Sequence, residues 1–162
     1  MRRKEYDVKD LKEIISIIDK CDVCHIGMAD KNGLPYVVPM SFGYSSENNN
    51  ITFYLHCAEE GQKIDLIKQN PRVCVQMDCS HRLLTGDKAC DCTTEYESVI
   101  ACGTAEFVTN HDEKIAALTC LMRHYQGNLE FEFDDRIVKH TTVIKITAEQ
   151  VSGKRRKLPQ QA

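Results

Sequence analysis

No apolar run in this chain reaches the roughly 18 residues a membrane-crossing helix needs, so no membrane partner is expected. Positive charge is not in excess: 21 lysines and arginines stand against 24 aspartates and glutamates, a net charge of −3. With no broad basic patch, a nucleic-acid partner is not expected. The basic cluster Lys154 to Lys157 reads as a solvated end unless it folds back on an anionic ligand. A G-x-G-x-x-G turn is missing, which disfavours a dinucleotide-binding doubly wound fold. A G-x-S-x-G elbow is missing too, which leaves Ser-His-Asp hydrolysis without support. No internal repeat is visible, and the charged N-terminus carries no secretory core, so the cytoplasm is the expected compartment.

What is present suits one domain of about 157 residues, 1–157, with a flexible tail at 158–162. Val8, Leu11, Ile14, Ile15 and Ile18 mark an amphipathic helix from Asp7 to Lys20, with Asp7 as N-cap. Cys21 to Ala29 reads as a strand, Asp30 to Gly33 as a hairpin turn, and Leu34 to Tyr44 as the returning strand. Pro35 and Pro39 place that strand at an edge or a bulge. Ser45 to Asn50 reads as a loop and Cys79 to Thr93 as a surface loop or lid. Further strands are expected from Ile51, over Val73 to Asp78, over Tyr96 to Thr109 with a bend at Gly103, and over Thr141 to Thr147. Asn110 and Glu113 open a helix that runs to about Tyr125, and Glu130 to Asp135 reads as irregular or a short helical turn. Six strands joined mainly by hairpins and loops favour a small antiparallel barrel with helices outside.

The stretch from Ile51 to Arg72 carries the chemistry. Ile51, Phe53, Leu55 and Cys57 alternate with Thr52, Tyr54, His56 and Ala58, which puts the two sets on opposite faces. Gly61 and Lys63 follow, then a helix from Gln62 to Gln69 that Asn70-Pro71 stops. A helix start offers free N–H groups and partial positive charge, and Lys63 adds a full charge, so the pattern suits a phosphate. Glu59 and Glu60 oppose that reading unless they turn to solvent.

YLHCAEEGQKIDLIKQNPRV resembles the FMN-binding split-barrel proteins, and among them the nitroimidazole-resistance (Nim-type) flavoproteins related to pyridoxamine 5'-phosphate oxidase. YVVPMSFGY upstream, and KACDCTTEYESVIACGTAEFV and VSGKR downstream, agree in order, so the resemblance spans about Arg2 to Arg156. It implies a mainly β fold with some α: a six-stranded antiparallel split β-barrel with peripheral helices. It also implies a homodimer with two FMN sites at its interface. Pro39, Met40, Ser41 and Phe42 then become ring contacts. Lys63 becomes the phosphate ligand, with backbone around Cys57, Ala58 and Gly61. Tyr54 and His56 face the cofactor, His56 as the catalytic candidate able to move a proton near neutral pH. Ser98 and Cys102, at i and i+4 on one strand face, are candidates for the ring or ribityl chain. Lys154 matches the family's S/T-G-K, which closes near the cofactor, often across the dimer. Cys92 stands where the family carries an aromatic, so that part of the substrate pocket differs.

The implied activity is FMN-dependent reduction of a small oxidant, such as a nitroaromatic or quinone, with a nicotinamide as candidate donor. Pyridoxamine 5'-phosphate oxidation itself fits less well, because that enzyme's basic substrate-phosphate motif has no match near the C-terminus. A non-catalytic flavin or haem binder is the alternative from another class, with His25, His81, His111, His124 or His140 as axial candidates. A cysteine-rich metal or redox module is the third. Nine cysteines without a signal peptide read as reduced thiols. Cys21-x-x-Cys24-His25 matches the haem-attachment pattern, but that chemistry belongs to an exported setting. Pairing Cys21 and Cys24 with Cys90 and Cys92 for zinc meets a C-x-C spacing tighter than structural sites use, so no metal is expected.

Overall fold

The computed structural model describes residues 4–156; the tail assigned to 158–162 lies outside them. Eight strands and four α-helices follow in the order β1 (Asp7–Val8), α1 (Leu11–Ile18), β2 (Cys24–Ala29), β3 (Pro35–Met40), β4 (Phe42–Glu47), β5 (Asn50–Cys57), α2 (Gln62–Gln69), β6 (Arg72–Leu84), β7 (Thr93–Val108), α3 (His111–Gln126), α4 (Asp135–His140) and β8 (Thr142–Arg156). The strands pair antiparallel in the order β3-β2-β6-β7-β8-β5-β4, and the two-residue β1 adds to β8.

β3 and β4 are the two ends of this order, yet only Ser41 separates them in the chain. The sheet must therefore curl until its edges meet at that residue, closed by a covalent link rather than by a ladder. This is the expected split barrel. The strand count is eight rather than six, because Ser41 breaks the run expected over Leu34 to Tyr44 and because β1 was too short to read.

The inward row is apolar throughout. Ile26, Phe42, Phe53, Leu55, Met77, Val99, Ile144 and Ile146 are buried, and Ile17 and Ile18 of α1 close over them. α1 starts three residues later than Asp7 suggested. Asp10 is the N-cap, its Oδ1 accepting the Glu13 N–H at 3.1 Å, while Asp7 pairs with Lys154 in β1. The Asn110 cap is as expected, with Oδ1 accepting the Glu113 N–H at 3.0 Å. α3 lies hard against β4 at Gly43, where a Cβ would come within 2.3 Å of the Leu121 backbone. The Tyr125 hydroxyl fixes the same contact, accepting the Phe42 N–H at 3.0 Å and donating to the Asp22 carbonyl at 2.7 Å.

Two expected loops are partly strand instead, and the acidic segment is irregular as expected, up to the helix that follows it. Ser45 to Asn50 is mostly strand, turned by Asn48 and Asn49 at φ 51° and 64°. Asparagine tolerates that left-handed region, so two residues suffice. The polar stretch after Cys79 continues β6 to Leu84, paired to β7 through Arg82 and Glu95 beyond a bulge. α4 follows the acidic segment, capped by Asp134, whose Oδ1 accepts the Arg136 N–H at 2.8 Å. The bend at Gly103 is present as a register shift against β8.

Candidate functional site

α2 begins where β5 ends, and its first turn is open. Gly61 precedes it at φ 138°, a backbone state that glycine adopts without strain, and a Cβ there would meet nothing within 4 Å. No side chain caps the helix start, so the first N–H groups face outward with the helix's partial positive charge. Lys63 is half-buried beside Cys57: burial raises that thiol, and the lysine's charge pulls it part of the way back. Both acidic neighbours are exposed, and Glu59 is turned to His140, 3.6 Å away. The objection these carboxylates raised is thereby met.

Tyr54 and His56 occupy the outer face of β5. The Tyr54 hydroxyl lies 3.3 Å from Ser45 Oγ, and its ring packs with Leu118 against Val108, Ala117 and Val143. His56 is exposed and borders a concavity of about 270 Å³ with Leu118, Phe133, Ile137 and Val138 as its apolar wall and Glu132 and Asp134 at its rim. That wall comes from α4 and the segment before it, which sequence reasoning left irregular. Ile137, apolar yet 68% exposed on a helix that begins at a well-formed cap, is the signal that marks it.

The strand period divides the other expected ring contacts. Pro39 faces outward beside His25, its register partner, and Ser41 is exposed at the junction of the two edges. Met40 packs against the core, and Phe42 is fully buried against Phe53 and His124. The side chains of Met40 and Phe42 are therefore packing groups, and only their backbone lies at the edge.

Ser98, Cys102 and Lys154 stand apart from the α2 start. Lys154 sits in β8 between Asp7 and Ser98, with its ammonium 5.1 Å from the Tyr96 ring centre, so it is a strand residue rather than a tail residue. At the other end of β8, Thr142 pairs with Cys57. Eight residues of β8 at ~3.3 Å each separate Thr142 from Gln150, opposite Cys102, and twelve separate it from Lys154, opposite Ser98, roughly 25–40 Å of strand contour.

The cysteine alternatives have no shared centre. Cys24 is completely buried, and burial pushes its thiol up to about 12, while Cys90 and Cys92 are exposed. Among the described residues no group of three or more His, Cys, Asp or Glu is arranged to hold a metal. No helix among them is long and apolar enough to cross a membrane.

The profile of the pyridoxamine 5'-phosphate oxidase family matches residues 10–155. Among solved structures, a candidate 5-nitroimidazole antibiotic resistance protein from Bacteroides thetaiotaomicron is 36% identical, over 91% of this chain and 85% of that one, with a TM-score of 0.79. The flavocytochrome Anf3 from Azotobacter vinelandii shares the fold at 20% identity and a TM-score of 0.80, over 98% of this chain and 73% of that one. A FAD-binding protein from Mesorhizobium loti does so at 24% identity and 0.64, over 93% and 97%. Comparison with curated protein sequences returned no match.

Proposed function

Because the chain belongs to the pyridoxamine 5'-phosphate oxidase family, we propose that it is an FMN-dependent oxidoreductase of the nitroimidazole-resistance kind, reducing a small oxidant such as a nitroaromatic or quinone. The observation that carries this reading is the uncapped start of α2 behind Gly61, with Lys63 beside it and His56 on the adjoining strand. The site fits FMN at its phosphate end. Outward N–H groups, a lysine and an open glycine turn are what a dianion needs, and no carboxylate is ion-paired to Lys63 among the described residues.

FMN, when bound, supplies the two-electron chemistry that amino-acid side chains lack. The protein's part is binding, orientation and protons. Lys63 and the α2 N–H groups hold the phosphate. Pro39, Ser41 and the edge backbone between them border the ring. An imidazole nitrogen of His56 gives a proton to the oxidant, whose apolar body rests on Leu118, Phe133 and Ile137. A nicotinamide is the proposed donor.

The dimer belongs to the same proposal. Ser98, Cys102 and Lys154 lie at the far end of β8 from the phosphate site, so a second copy is the natural source of these groups for one cofactor. This supports a homodimer with two sites.

A visible absorption spectrum of the purified protein, with heat release and identification of the chromophore, tests the reading. Released FMN, together with turnover of a nitroaromatic, supports it. Bound flavin without turnover favours a non-catalytic binder, and a Soret band favours the haem alternative. Colourless protein that takes up no added FMN overturns it.

A further inference from the structure

We propose that Cys74 and Cys102 are a modification site: a thiol pair that closes into a reversible disulfide between β6 and β7 by exchange with a low-molecular-weight disulfide. The two are register partners on adjacent antiparallel strands, close enough that the Cys102 thiol adds to the upward shift of the Cys74 thiol. Burial first, and the neighbouring Cys102 thiol after it, push the Cys74 thiol up to about 11, so exchange runs through the small ionised fraction and quickens as pH rises. Directly opposed residues have Cβ atoms ~4.5–5.5 Å apart, and a disulfide needs ~3.5–4.5 Å. The two ranges meet at ~4.5 Å, so closure asks for a small approach of the two strands.

Access is built in. Both cysteines are half-buried on the outer face of the sheet, neither fully covered. Gly27 lies opposite Cys74 on β2 and has no side chain to cover it. The result is a concavity of about 490 Å³ lined by His25, Gly27, Val37, Cys74 and Gln76. The other close pair differs on this point. Cys21 and Cys79 both aim at the Ile17 carbonyl, at 3.3 and 3.9 Å, but Cys21 is only 2% exposed.

The exchange balances without further reagents. One thiolate attacks a sulfur of the small disulfide, forming a mixed disulfide and expelling a thiolate. The second protein thiolate then attacks the protein sulfur of that mixed disulfide and expels the other. Two electrons pass to the small disulfide, which leaves as two thiols carrying the two protons. This inference does not depend on the flavin reading.

The test is to expose the reduced chain to oxidised glutathione at low protein concentration, where no second copy shields the face. Free thiols are then alkylated, and linked peptides are mapped by fragmentation mass spectrometry. The expected result is an intramolecular Cys74–Cys102 link, reversed by dithiothreitol and kept in Cys21→Ser. It should be lost in both Cys74→Ser and Cys102→Ser, each retaining a glutathione adduct on the remaining partner. If both thiols are alkylated or singly glutathionylated in the wild-type chain while exposed Cys90 and Cys92 are oxidised, the proposal is overturned. Cys74 or Cys102 linked only between chains would overturn it equally.

Discussion

Glu97 and Arg155 face each other directly across β7 and β8, in an ion pair from which water is nearly excluded. Glu97 is 5% exposed. It also accepts from Lys20 Nζ at 2.6 Å and Ser80 Oγ at 2.9 Å, and Arg155 reaches Glu13 at 2.9 Å. One carboxylate thus ties β6, β7, β8 and the turn after α1 together. Burial works against its charge, but hydrogen bonds from Lys20, Arg155 and Ser80 outweigh it and hold the carboxyl at about 2. Removing the carboxylate leaves two cations facing a buried gap. We expect Glu97→Ala to lose about 3–5 kcal/mol of stability, read from urea unfolding at neutral pH.

The same group sets an acid limit. Its folded value lies below its ordinary 4.5, so its contribution is complete above that pH and fades as pH falls toward about 2. Unfolding free energies measured between pH 6 and pH 2 are expected to decline over the lower half of that range. The decline should be shallower in Glu97→Gln than in the wild-type protein. Equal slopes would remove Glu97 from the acid response.

Gly43 has no room for a side chain. A Cβ 2.3 Å from Leu121 backbone cannot be absorbed by a rotamer change, so α3 must shift. Gly43→Ala is expected to cost about 3 kcal/mol, a fall of roughly 6–12 °C in Tm. An unchanged melting curve would mean the helix rides freely on β4.

Lys63→Ala removes a charge-assisted contact to a phosphate. A loss of about 1.5–3 kcal/mol corresponds to FMN binding weaker by roughly ten- to a hundredfold. Titration of the apoprotein with FMN, followed by flavin fluorescence, reads it directly. Unchanged affinity would take Lys63 out of the site.

His56→Ala separates binding from chemistry. FMN retention is expected to hold while turnover of a nitroaromatic falls by about 10²–10⁴-fold. Full activity in this variant would return His56 to an ordinary exposed side chain.

Much of this was legible before any coordinates. The alternation over Ile51 to Cys57 gave β5 and its faces, the Asn110 cap opened α3, and Gly61 and Lys63 marked the start of α2. The failures share a cause. β6 beyond Cys79 and β8 beyond Thr147 carry charged and polar residues on faces that meet solvent or ion pairs, so no apolar period announces them. Their pairing is decided by partners far away in sequence, as Arg82 with Glu95 and Arg155 with Glu97 show. The break at Ser41 was hidden for a related reason. The largely apolar run from Tyr36 to Phe42 shows no gap at Ser41, and only the closing of the sheet places Pro39 outside and Phe42 in the core.

The two open borders of the sheet bear on how copies of this chain meet. Proline is tolerated in a strand where its missing N–H points away from the neighbour. Pro35 and Pro39 therefore leave Val37 as the only donor on the free side of β3. At the other border, the Tyr125 hydroxyl of α3 takes the Phe42 N–H at the start of β4. Neither border offers a continuous ladder for strand addition. Growth by edge-to-edge stacking, the usual hazard of an exposed sheet, is blunted at both ends, and association is left to side-chain surfaces, which bury a defined area and then stop.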